Sequence, residues 1–189
     1  VKPISAGQRI RRPRRRVFVF GAMAVVVIGY FVWSSFAMSG IQPGDHAPPF
    51  SGTTQTGQQI SSSDYLGKKA VVLYFYPKDN TSVCTAQACS FRDSYADFTQ
   101  EDAVVIGVSS DSVDSHRGFA EKQRLPFPLI SDTDGSLRKA FGVPRTLGLF
   151  PGRVTYVIDR EGIVRLVCNS PLNAGRHLTE ALEAVRKLK

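Results

Sequence analysis

The stretch that most restricts how this chain can fold is Val71 to Tyr76, six consecutive apolar or aromatic residues that halt at Pro77. A run this short, rich in β-branched and aromatic side chains, reads as a strand buried on both faces of a sheet. Proline cannot extend a central strand, because it has no N–H for the ladder. The chain then passes through a polar turn and delivers Cys84 to the first turn of an expected helix. A thiol placed there meets unpaired backbone N–H groups and the positive end of the helix dipole, both of which favour its thiolate. Cys89 follows five residues later. The arrangement is an attacking sulfur with a second thiol nearby.

The rest of the body supports an α/β reading. Ser39 to Pro49 is rich in glycine and proline and reads as a linker into a folded domain over residues 50–189. Phe50-Ser-Gly-Thr-Thr and Gln58-Gln-Ile60 flank Gln55-Thr-Gly57, the pattern of a small hairpin. Phe91, Tyr95 and Phe98 put one packed face on a helix over 85–100, and Ala103–Val108 is a second buried strand. Ser112 to Gln123 reads as helix, Phe127–Ile130 as a short strand, and Asp134 to Phe141 as a helical turn or two ended by Gly142 and Pro144. Val154–Ile158 and Ile163–Val167 make a hairpin turned at Glu161-Gly162. Leu178, Leu182, Val185 and Leu188 stripe a last helix over 175–188. Strands alternating with helices, then a hairpin and a helix, predict an α/β sandwich with a mixed central sheet.

Charge separates the N-terminus from this body. Of 24 Lys and Arg, seven lie in residues 1–16 with no acid among them, which leaves 17 basic against 16 acidic residues elsewhere. The net charge of +8 is therefore an arm and not a basic domain surface. Val17 to Met38 follows without a charge. As a helix, those 22 residues span about 33 Å, enough for a hydrocarbon core of about 30 Å. Tyr30 and Trp33 suit an interfacial belt, and the preceding arginines predict a cytoplasmic N-terminus. The expectation is a basic arm over 1–16, a transmembrane helix over 17–38, and a catalytic body in the periplasm or lumen. A cleaved export leader is the alternative. An apolar span directly after the arginines argues against nucleic acid as their partner. Three cysteines are too few for a disulfide framework, and no Cys/His spacing suits a metal, so no cofactor is expected.

Taken together, residues 41–188 resemble a peroxiredoxin of the Q, or bacterioferritin comigratory protein, subfamily. The resemblance rests on Pro77-x-x-x-Thr81-x-x-Cys84, on Tyr74-Phe-Tyr-Pro-Lys78 before it, and on Cys84-Thr-Ala-Gln-Ala-Cys89 with Phe91-Arg-Asp93 after it. Gly44-Asp-His-Ala-Pro-Pro-Phe50 is similar to the usual family opening. Phe141-Gly-Val-Pro144 and Leu149-Phe-Pro-Gly-Arg153 are similar to plant and cyanobacterial members. The chain departs at Ser82-Val83, where the subfamily commonly has Pro-Gly; valine does not readily take positive φ. The resemblance implies a thioredoxin-like fold and a thiol peroxidase acting on hydrogen peroxide and organic hydroperoxides. It also implies a thioredoxin-like dithiol donor and a monomeric chain.

On that reading Cys84 is the nucleophile that becomes a sulfenic acid, and Cys89 resolves it as a disulfide. Thr81 places its hydroxyl beside sulfur and peroxide, Arg153 holds the thiolate and orients the peroxide, and Pro77 bends the chain and shields the pocket. Gln87 lies one turn past Cys84 and reads as helix surface, or as a partner for Arg153. Cys168 reads as packing, and His46, His116 and His177 as surface or structural. In an intact helix, residues five apart have Cα atoms about 8.6 Å apart, against about 4.4–6.8 Å for a disulfide, so oxidation must unwind residues near 80–92. A membrane-tethered thiol–disulfide oxidoreductase without peroxidase activity is the competing function, although that class generally uses Cys-x-x-Cys.

Overall fold

A computed structural model of the chain describes residues 40–146 and 148–188. Strands β1 (Ser51–Thr53) and β2 (Gln59–Ser61) pair antiparallel, with Gly52 opposite Ile60. Their turn closes where Gly57 reaches Thr54 O at 2.9 Å, with Gly57 at φ 81°. Strand β3 (Ala70–Phe75) is buried along its whole length, as its composition requires. It leads through the Pro77 loop into helices α1 (Ser82–Asp93) and α2 (Tyr95–Gln100). The single helix expected over this stretch is broken at Ser94, which takes φ −104° and ψ 13°. Serine competes with helical backbone for hydrogen bonds and is a weak interior helix residue.

Strand β4 (Ala103–Ser109), helix α3 (Val113–Gln123) and strand β5 (Leu129–Ser131) follow. Next come the short helix α4 (Ser136–Ala140) and the small pair β6 (Arg145–Thr146) and β7 (Phe150–Pro151), which no sequence period marked. Strands β8 (Val154–Ile158) and β9 (Val164–Asn169) form the expected hairpin, and helix α5 (Ala174–Arg186) closes the body. The central sheet runs β5-β4-β3-β8-β9. Its first three strands are mutually parallel and the hairpin joins antiparallel, so the sheet is mixed.

Alternation along β3 sorts the core into two layers. Val72, Tyr74 and Tyr76 face Cys84, Ala88 and Phe91 of α1, Phe98 of α2, Phe119 of α3, and Ala181 and Val185 of α5. Val71, Leu73 and Phe75 face Phe50, Ile60, Leu137, Phe141 and Tyr156 on the other side. This is the thioredoxin-like sandwich, with α1 carried on the helical face at the end of the central strand. Residues 40–49, expected as linker, run along the hairpin instead: Gly44 N–H bonds Val164 O at 2.8 Å and Ala47 N–H bonds Gly162 O at 2.9 Å.

The expectation of a membrane helix is corrected. The 17–38 run lies outside the described residues, and among those described no helix is long and apolar enough to cross a membrane. The longest, α5, has 13 residues and so spans about 20 Å, short of the roughly 30 Å required. The fold class that the described residues support is the sandwich. Single-pass anchoring, with the catalytic body in the periplasm or lumen, is not supported.

Candidate active site

The loop after β3 makes its one left-handed residue at Asn80 (φ 58°), a residue type that tolerates that region. Ser82 and Val83 already belong to α1, with ordinary backbone. The departure from Pro-Gly therefore costs no strain, because the positive φ falls elsewhere. Cys84 occupies the first turn of α1 and is buried at 2% exposure.

Arg153 reaches it from just ahead of β8. This guanidinium is itself 3% exposed. Its Nη2 donates to Cys84 Sγ at 3.2 Å, its Nη1 donates to Gln87 Oε1 in a short bond, and its Nε donates to Pro171 O at 3.1 Å. A planar donor fork bonded on three sides is fixed in direction, and it sets a buried positive charge against the Cys84 sulfur. Gln87 is wholly buried and is no surface residue. Cys84, Gln87, Ala88 and Phe91 form the inner face of α1. Their spacing of three, four and seven was the signal in the sequence.

Thr81 stands elsewhere. It is exposed, and its hydroxyl donates to Lys78 O at 3.1 Å, not to the sulfur. Pro77 is half-buried where the loop leaves β3. Cys89 is half-buried on α1 with its thiol toward Gln123 Oε1 of α3 at 3.6 Å, and both cysteines are free thiols in an intact helix. The structure thus gathers Cys84, Arg153 and Gln87, and leaves Thr81 and Cys89 outside that cluster.

Two further residues support the site: Arg138, which had no sequence signal, and His177, read as surface or structural. Arg138 of α4 donates from Nη2 to Tyr76 O at 2.9 Å and from Nη1 to Gly152 O at 3.0 Å, joining the end of β3 to the residue before Arg153. Gly152 is required there, since a Cβ would lie 1.9 Å from Pro144 O. His177, fully buried in α5, bonds Ser170 O through Nε2 at 2.9 Å and the Thr155 hydroxyl through Nδ1 at 2.9 Å. It thereby steadies the turn whose Pro171 O receives Arg153.

One donor and one acceptor around His177 suit a neutral ring. Burial, then the charge of Arg153, hold its pKa below the ordinary value, against the opposing bond to Ser170. The unfolded ring takes its proton near pH 6.5 or so. Stability is therefore expected to be undiminished above that value and to fall as pH drops through it toward the depressed folded value. Thermal melts across this range should show a decline that His177→Gln blunts; an equal decline in the variant would exclude the ring as its source.

Cys168 lies buried on β9, and burial, helped by Glu180, pushes its thiol up to about 12. A thiol kept protonated near neutrality is no nucleophile. It is packing.

Comparison with known proteins agrees with this geometry. The AhpC/TSA family model matches residues 43–167. Chloroplastic peroxiredoxin Q of Sedum lineare is 47% identical over 150 residues, 79% of this chain and 80% of its own. That of Arabidopsis thaliana is 46% identical over 147 residues, 77% of this chain and 68% of its own. The crystal structure of peroxidoxin BcpB from Mycobacterium tuberculosis superposes with a TM-score of 0.73 at 36% identity, covering 79% of this chain and 99% of that one. A PrxQ mutant from Xylella fastidiosa gives 0.73 at 31%, over 79% and 98%. The similarity spans the sandwich together with the helix and loop that carry Cys84 and Arg153, and the chain therefore belongs to the AhpC/TSA family, in its peroxiredoxin Q group, as a thiol-specific peroxidase that works through a redox-active cysteine and a thioredoxin-type donor.

Proposed function

We propose that Cys84 is the peroxidatic sulfur, Arg153 its activating and substrate-orienting cation, and Cys89 the resolving thiol. The single observation carrying this reading is the buried contact of 3.2 Å between Arg153 Nη2 and Cys84 Sγ. The thiolate attacks the nearer peroxide oxygen, the O–O bond breaks, and the departing alkoxide or hydroxide takes a proton to leave as alcohol or water. Arg153 stabilises the charge that grows on that oxygen, and Gln87 keeps its fork aimed. Cys89 then attacks the sulfenic acid, forming the S–S bond and releasing water. A dithiol donor takes the disulfide by exchange and is itself oxidised. Pro77 bends the chain and shields the pocket. Thr81 contributes by turning its hydroxyl from Lys78 O toward the sulfur when peroxide binds. Both thiols belong to one helix, so the cycle is complete in a monomer.

Closure is conformational work. With the cysteines in one unbroken helix their Cα atoms stand about 8.6 Å apart, so the start of α1 must unwind before a bond of disulfide geometry can form. In Cys89→Ser, Cys84 is expected to reach sulfenic acid as in the parent, trapped and weighed by intact mass, while no disulfide forms and turnover with thioredoxin drops sharply. In the parent, oxidation is expected to strip amide protection from residues 80–92. A Cys84–Cys89 disulfide within a fully protected helix would contradict the scheme.

A further inference from the structure

The start of α1 is weakly held by its own chain. Thr81 occupies the cap position without a side-chain cap bond, and no acidic residue lies in the first turn. Asn80, just before, sits at φ 58°. Such a turn needs support from outside, and a buried polar cluster provides it. Asp79, 5% exposed, accepts from Tyr76 Oη at 2.7 Å, from Ser115 Oγ at 2.8 Å and from His116 Nδ1 at 2.8 Å. Its backbone N–H donates to Asp111 Oδ2 at 2.9 Å, and Ser109 Oγ holds Asp111 at 2.6 Å. His116, wholly buried in α3, turns its other nitrogen to Ile130 O at 3.2 Å. Both ring nitrogens are thus engaged, one on Asp79 and one on a backbone carbonyl, which fixes the ring between the loop and β5. Burial pushes the Asp79 carboxyl up, yet the bond and charge from His116, with Tyr76 and Ser115, outweigh it and leave the group below its ordinary value.

None of these groups touches Cys84 in the reaction set out above. A buried polar pair is also a poor way to gain net stability over apolar packing, and its best attested use is to fix one arrangement. We infer that Asp79 and His116 are positioning residues that latch the Pro77–Cys84 loop onto α3, holding it in the form that attacks peroxide and opposing its unwinding toward Cys89. The inference rests on the assignment of Cys84 and Cys89 made above.

A latch of this kind acts on a population. Releasing it lowers the fraction of molecules with Cys84 docked against Arg153 and raises the fraction poised for disulfide closure. The two chemical steps therefore move in opposite directions, which general loosening of the fold would not produce. The test uses the full chain as parent, Asp79→Asn, His116→Gln and the milder Ser115→Ala. Each is mixed rapidly with hydrogen peroxide, quenched, and weighed for thiol, trapped sulfenic acid and disulfide. Sulfenylation is expected to slow by about tenfold in the first two variants, and sulfenic acid to close to disulfide several-fold faster, in proportion to the docked and undocked fractions. Ser115→Ala should show a smaller split of the same sign, and it decides the matter if circular dichroism finds the others unfolded. Both steps slowing together, or neither changing, overturns the latch. A parent that forms no sulfenic acid on Cys84 and no disulfide to Cys89 would instead overturn the assignment beneath it.

Discussion

Cys84→Ser is expected to end peroxide turnover, a fall on the order of 10⁴–10⁶-fold, the scale on which loss of a covalent nucleophile is felt. Serine is close in shape to cysteine, so the buried face of α1, Gln87 and Arg153 should stay in place. What disappears is an ionisable sulfur 3.2 Å from a guanidinium. A serine hydroxyl is not ionised near neutrality and, among the described residues, no general base is bonded at this position, so the oxygen cannot replace the thiolate. The measurement is peroxide consumption coupled to thioredoxin oxidation, with a thermal melt alongside to show that the fold survives. Full activity in this variant would remove Cys84 from the reaction.

Arg153→Met is the second large effect. The substitution keeps an unbranched apolar stem and removes the charge, so the second-order rate with peroxide should fall about 10²–10³-fold, the range for losing one preorganised donor to developing negative charge. Rapid-mixing kinetics with hydrogen peroxide would read it. Alkylation of Cys84 by iodoacetamide should slow as well, because the thiolate loses its counter-charge. Arg153→Lys is expected to recover only part of the rate. An ammonium carries the charge but cannot bond Cys84 Sγ, Gln87 Oε1 and Pro171 O at once, as the planar fork does. If Arg153→Lys matches the parent, charge alone suffices and the fork has no role.

The fold was legible wherever a local pattern carried it. The buried strand before Pro77, the β8–β9 hairpin with its Glu161-Gly162 turn, and the apolar stripe of α5 each follow from a period or a turn residue within a dozen positions. The break at Ser94 and the pair β6–β7 were not visible, since neither interrupts an apolar period. Of the site, Cys84 and Arg153 could be named, while Gln87 was left between helix surface and a partner for Arg153. A single glutamine beside Ala88 and Phe91 looks like an outward polar residue until a buried arginine stands opposite.

Chemistry and local structure were written along the chain, because ionisable groups, helix starts and strand periods are properties of neighbouring residues. The order of strands in the sheet, and therefore the meeting of residue 153 with residue 84 across 69 positions, was not. That meeting exists because β8 pairs antiparallel with β3 and sets Val154 opposite Phe75, at the strand end from which the chain leads to α1. The tie from Asp79 to His116 across 37 positions has the same origin, through the parallel crossover that places α3 next to the loop. Contacts of that span are fixed by how the sheet packs as a whole, and no window of sequence contains that information.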